Sequence, residues 1–130
     1  MISRRREIIR RIDEKLRVSR AVKPMAPPAN AVLSPFFHTL IVDEAALTVS
    51  KAEFARAVMA EGARLNPDYP TVVVEWPWAK PYLREDSSSP NAIAFRDSAV
   101  NILFTERFSD ADADDVAACF LKVESVFARR

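Results

Sequence analysis

The apolar positions change period along the chain, and each period predicts an element. Over residues 2–18, Ile8, Ile12 and Leu16 recur every four positions and Ile9 widens the stripe, which places them on one face of a helix. Pro24, Pro27, Pro28 and Pro35 interrupt residues 21–35. Proline has no N–H and a fixed backbone angle, so this stretch predicts an extended connector. The aromatic and β-branched run from Phe36 to Val42 predicts a strand.

Ser50 followed three residues later by Glu53 is a capping box. It opens a helix that carries Phe54, Val58 and Met59 and ends at Gly62, where glycine enters the left-handed conformation cheaply. A short extended segment, Ala63 to Leu65, and a turn, Asn66 to Pro70, follow. Residues 71–76 fit either a buried strand or a short ordered segment. Arg84 to Ser89 is polar and reads as a mobile loop. Ser89 with Pro90 predicts the start of a helix running to about Val100 and burying Ile93, Ala94 and Phe95 or a subset. Asn101 to Phe104 reads as a strand. Ser109 with Asp112 opens the last helix, whose core stripe is Val116, Phe120, Val123 and Phe127, with Cys119 as a small buried hydrophobe.

This order predicts an α+β fold, a small antiparallel sheet with helices packed on one face. It reads as one domain over 1–130: a linking helix in 1–20, the proline-rich connector in 21–35 and an α/β sandwich in 36–130.

Composition narrows the chemistry. The chain has 49% apolar and 28% charged residues, which excludes a disordered chain. Nineteen Lys and Arg against eighteen Asp and Glu give a net charge of +1, which disfavours a general nucleic-acid partner. One glycine, where about nine are usual, excludes the glycine-rich phosphate loops of nucleotide enzymes. One cysteine and one histidine leave no internal disulfide and no ordinary His/Cys zinc site. No signal-peptide pattern opens the chain, and no apolar run approaches a membrane span, so a cytoplasmic protein is the expectation.

Several residues carry two readings each. The arginines of the first helix (Arg4, Arg5, Arg6, Arg10, Arg11, Arg17) form a docking surface or a solvated face partly balanced by Glu7, Asp13 and Glu14. His38 is catalytic or a structural strand histidine. Trp76, Trp78 and Tyr82, among prolines, form a binding platform or anchor a loop to the core. Asp110, Asp112, Asp114 and Asp115 suit the helix dipole, which makes a metal site unnecessary.

Taken in order, the segments resemble the C-terminal, small domain of the DegT/DnrJ/StrS family of PLP-dependent sugar aminotransferases. Arg4 to Ile9 resembles the Arg-rich start of the helix joining that family's two domains. Leu40 to Asp43 resembles its first small-domain strand, and Ser50 to Gly62 its next helix. Asn66 to Tyr69 lies where the family has a His-Tyr pair, with Asp68 in place of the histidine and Tyr69 kept. Asn91-Ala92, Ile102-Leu103 and Val116 to Val126 match the following helix, strand and final helix, the strand lacking the family's proline.

The resemblance implies a domain that closes a substrate site for a nucleotide-linked keto-sugar and is not catalytic alone. It implies substrate-wall candidates Asn66, Asp68, Tyr69, Trp76, Trp78 and Tyr82. The cofactor lysine belongs to the large domain, so PLP is expected only with a PLP-binding large domain as partner. None of Lys15, Lys23, Lys51, Lys80 and Lys122 sits in a cofactor-lysine setting. The alternative is a stand-alone interaction module. In it the stripe Ile8, Ile12 and Leu16 would be exposed and would hold a homodimer together.

Overall fold

A computed structural model describes residues 1–68 and 72–129. The elements in chain order are α1 (Ile2–Leu16), β1 (Val22–Pro24), β2 (His38–Val42), α2 (Lys51–Ala60), β3 (Leu65–Asn66), α3 (Pro90–Ser98), β4 (Ala99–Ile102) and α4 (Asp110–Phe127). The four strands form one antiparallel sheet in the order β1-β2-β4-β3. The α+β class and the antiparallel sheet are as the patterns predicted.

Strand alternation divides the sheet into two faces. Leu40 opposite Val100 and His38 opposite Ile102 point into the core, and Val42 pairs with Val22 beside them. There α1, α2 and α4 enclose Ile8, Ile12, Leu16, Phe54, Val58 and Phe120, and the rings of Phe54 and Phe120 meet at 6.2 Å. The other face carries Thr39, Ile41, Ala99 and Asn101, and α3 touches β2 and β4 there.

Both capping boxes form. Ser50 and Ser109 each accept the backbone N–H three residues on, and Glu53 and Asp112 return the bond to the cap N–H. The Ser109 hydroxyl and N–H, both donating to Asp112, and the Ser50 N–H and hydroxyl, both donating to Glu53, hold these carboxyls below their usual range. Gly62 ends α2 with φ at 114°, and its N–H donates to the Met59 carbonyl.

The structure refines several of these elements. Part of the extended connector pairs into the sheet: Val22–Pro24 is an edge strand, where the proline removes no needed donor. Of the two alternatives for residues 71–76 the short ordered segment is the one seen: residues 73–75 form a 3-10 turn, anchored by buried Val72. The third helix stops at Ser98, and the chain turns extended at Ala99, so the last strand begins two residues earlier than predicted. Ile93, Ala94 and Phe95 are not buried, because α3 packs on the face of the sheet opposite the core and buries none of its own residues. Cys119 is half-buried, its Sγ donating to the Glu61 carbonyl. Desolvation pushes its thiol pKa up, away from reactivity.

The docking stripe also needs correction. Ile8, Ile12 and Leu16 are 0–1% exposed, covered within the chain itself as α1 packs along α4. The apolar stripe is core, and the residues are not free to hold a dimer.

The charges of α1 and α4 explain each other. Arg4 pairs with Asp110, Arg11 with Asp110 and Asp114, Lys15 with Asp114 and Arg5 with Glu106. The Arg11 guanidinium, bonded twice to Asp114, lowers that carboxyl to about 2. A depressed folded pKa stabilises the fold above the unfolded value and loses that contribution as pH falls through the folded one. The denaturation midpoint is therefore expected to stay level down to about pH 4, the ordinary aspartate range, and to fall between there and about 2. Asp114→Asn should flatten that limb in urea titrations read at successive pH. An unchanged limb in the variant would remove Asp114 from the acid response.

Candidate functional site

The site candidates lie at one end of the sheet and along the 72–83 segment. Asn66 ends β3 opposite Asn101 of β4, and its Oδ1 accepts the Asp68 N–H at 3.3 Å, a side-chain turn that shapes the loop. Asp68 is exposed, with its carboxylate 3.9 Å from the Lys51 ammonium. Tyr69 lies outside the described residues.

The 72–83 segment is a string of turns held by two buried anchors, Val72 and Ala79. The rings of Trp76 and Trp78 meet at 5.1 Å, with Trp78 largely exposed. Tyr82 is 85% exposed. Thus the structure joins Asn66 to Asp68 and Trp76 to Trp78.

Lys51 connects these groups, and the sequence reading passed over it. The residue is 6% exposed, and its Nζ donates to the carbonyls of Pro67, Arg96 and Ala99 at 2.8, 3.1 and 3.2 Å. Those three bonds fasten the Asn66–Asp68 loop, the end of α3 and the start of β4 to the first turn of α2. From α3, Arg96 reaches out to Glu75 and so ties the aromatic segment to the same frame. One signal was legible: a lysine at the first position of a helix opposes the macrodipole, so it needs another reason to be there.

His38 is structural. It is 5% exposed, and its Nε2 meets Asp13 Oδ1 at 2.6 Å, joining β2 to α1. Glu124, also buried, receives the Arg20 and Ala21 N–H groups and the Ser19 hydroxyl, which fixes the turn after α1.

The lysines do not suit a PLP aldimine. The amine of Lys51 has all three donors engaged by carbonyls. Lys15 and Lys122 pair with carboxylates at the surface, and Lys23 and Lys80 are exposed. Among the described residues no group of His, Cys, Asp and Glu is placed to hold a metal ion, and no helix is long and apolar enough to cross a membrane.

No family model and no curated protein matches the chain. Solved structures do. The aminotransferase TlmJ from Streptoalloteichus hindustanus superposes with a TM-score of 0.76 and 21% identity, over 96% of this chain and 32% of its own. PseC of Helicobacter pylori, an aminotransferase involved in the biosynthesis of pseudoaminic acid, gives 0.80 and 13%, over 97% and 33%. A DegT DnrJ EryC1 StrS aminotransferase from Brucella abortus gives 0.75 and 17%, over 93% and 30%. The chain spans about a third of the length of each of these proteins. It has the fold its motifs resemble, that of a small-domain-sized part of a DegT/DnrJ/EryC1/StrS-type sugar aminotransferase.

Proposed function

We propose that the chain serves as the small domain of a sugar-nucleotide aminotransferase-like protein. In this reading it closes a substrate site whose cofactor and Schiff-base lysine reside in a PLP-binding large domain, on the same or a separate chain. The observation that carries it is the superposition along nearly the whole chain but only a third of each aminotransferase. The loop and aromatic segment fastened by Lys51 would form the wall facing a nucleotide-linked keto-sugar. Asn66, Asp68, Tyr69 and the Trp76–Trp78 pair are its contributors. No lysine here suits the cofactor, so the chemistry of amino transfer stays with the partner, and these residues bind and exclude water.

The test begins with the coding frame around this chain, which should continue into or stand beside a lysine-bearing PLP domain. The two parts, produced together, should elute as one species with the absorbance of a bound aldimine. Trp78→Ala should raise KM for the sugar nucleotide more than it lowers kcat, as a wall residue does. Separate elution of the two parts, or a Trp78→Ala enzyme with unchanged KM, would overturn the reading.

A further inference from the structure

An open trough of about 500 Å³ runs between α1 and the proline-rich connector. One stripe of α1 and its cap forms the first wall: Arg6, Arg10, Asp13 and Arg17, at helical spacing, with Ile9 beside them. From Arg6 to Arg17 is about 16 Å along the helix axis. The connector forms the second wall with Pro27, Ala31, Val32 and Leu33, all apolar. The arginines of α1 hold it in place: Arg6 Nε donates to the Leu33 carbonyl at 2.6 Å, and Arg5 donates to those of Pro35 and Phe36 at 3.1 and 3.0 Å. Ile9 is buried and Val32 is 77% exposed, so the apolar lining runs from the core out to the surface. Charge sets the trough apart. Three guanidiniums line it against two carboxylates, and both carboxylates are engaged, Glu14 by Arg10 and Asp13 by His38. Arg17 is exposed and has no hydrogen bond or ion pair among the described residues. The lining is therefore net positive, and its spare cation stands at one end.

The requirements on a ligand follow. One end is anionic, because the unmatched group is a guanidinium, whose planar fork suits a carboxylate. The body is apolar, because no hydroxyl or carboxamide side chain lines the trough among the described residues. The shape is long and narrow. A helix about 10 Å across would displace roughly twice the volume or more over the same length, so the trough does not seat a peptide helix. One extended hydrocarbon chain fits it. The volume falls within the roughly 300–1,000 Å³ usual for small-molecule sites.

We propose that this trough binds a free single-chain anionic amphiphile, a fatty carboxylate of medium length. Arg17 takes the carboxylate, and the chain lies along Ile9, Val32 and Leu33 toward Arg6. Binding covers Val32, which the chain leaves exposed on its own. The site shares no residue with the wall proposed for a sugar nucleotide and needs no large domain, so either idea can fail while the other stands.

The experiment uses the whole chain, labelled with ¹⁵N, titrated below micelle-forming concentrations with hexanoate, octanoate, decanoate and laurate. The amides of Arg6 to Arg17 and of Ala31 to Leu33 should shift saturably. Affinity should rise about two- to fourfold per added CH2, the worth of a partly to fully buried methylene, and level off once the trough is full. Decanol and decyltrimethylammonium should bind more weakly than decanoate by about tenfold or more. Arg17→Gln should weaken decanoate by about tenfold, near the worth of a hydrogen bond to a charged group. Val32→Ser, at an exposed position, should weaken it by about threefold and leave the fold intact. Absence of saturable shifts at these amides would overturn the proposal. So would equal binding of decanol, or decanoate affinity unchanged in both variants. Sedimentation with phosphatidylglycerol vesicles while monomeric laurate leaves the trough unmoved would assign the surface to a bilayer and overturn it as well. Shifts that follow protein concentration without ligand would mean that a second copy fills the trough, with the same consequence.

Discussion

Removal of residues 1–20 is expected to leave a chain that does not fold cooperatively. The stripe on α1 places Ile8, Ile9, Ile12 and Leu16 at 1%, 5%, 0% and 1% exposure under α4. Burying one such side chain contributes about 1.5–3 kcal/mol, so four contribute roughly 6–12 as an upper estimate. Stabilities of whole domains run about 5–15 kcal/mol. The helix therefore carries an amount comparable to the entire margin. Polar ties would go with it: His38 loses Asp13, and Asp114 loses Arg11 and Lys15. Thermal melts followed by circular dichroism should show a sigmoid for the full chain and a shallow slope for residues 21–130. A single cooperative melt of 21–130 near that of the full chain would show that the sandwich of residues 36–130 stands without its linking helix. Ile12→Ala gives a graded version, with an expected loss of about 2–5 kcal/mol.

That expectation turns on what a sequence can tell of an apolar stripe. The period of Ile8, Ile12 and Leu16 shows that the face is buried, and the structure agrees. It does not show what buries it, since an exposed stripe awaiting a partner and a stripe folded onto its own chain have the same spacing. The partner, α4, lies about a hundred positions away. The charges pose the same problem. Arginines on the first helix and aspartates at the start of the last each had a local explanation, in a solvated face and in the helix dipole. Their mutual pairing is a fact of the tertiary fold. Features decided within a few residues were legible: the capping boxes at Ser50 and Ser109, the left-handed Gly62 and the Pro90 start. Strand ends were less so, because Ala99 and Val100 fit a helix end as well as a strand, and pairing with Ile41 and Leu40 settles the matter. Of the candidate site, the sequence placed Trp76 and Trp78 close together, and the structure brings their rings into contact. Lys51, which fastens the neighbouring loop, carried only the weak signal of a cation at a helix start, and its burial is what marks it.

Lys51→Met is the substitution that tests this organisation, and its expected effect is large and uneven. Methionine keeps much of the stem's volume and apolar packing, so the loss reports the ammonium. The carbonyls of Pro67, Arg96 and Ala99 lose a shared donor. A buried acceptor left unsatisfied costs about 1–3 kcal/mol, and less where water reaches it. With Pro67 and Arg96 at the margin and Ala99 deeper, about 3 kcal/mol in total is expected. Lys51→Arg should not restore it, because a planar fork does not direct its donors as a compact ammonium does. The location matters more than the total. Amide exchange should quicken around Asn66 to Asp68 and from Arg96 to Ala99, while α1 and α4, joined by their own apolar seam, keep their protection relative to global unfolding. Uniform acceleration would make Lys51 an ordinary contributor to the core. No acceleration would mean that the loop and α3 are held without it, and the wall proposed for the substrate would lose the element that makes it rigid. If the wall does face a sugar nucleotide, the same variant joined to a PLP domain should bind substrate more weakly while leaving the cofactor's absorbance unchanged, because Lys51 holds the wall and has no amine free for the cofactor.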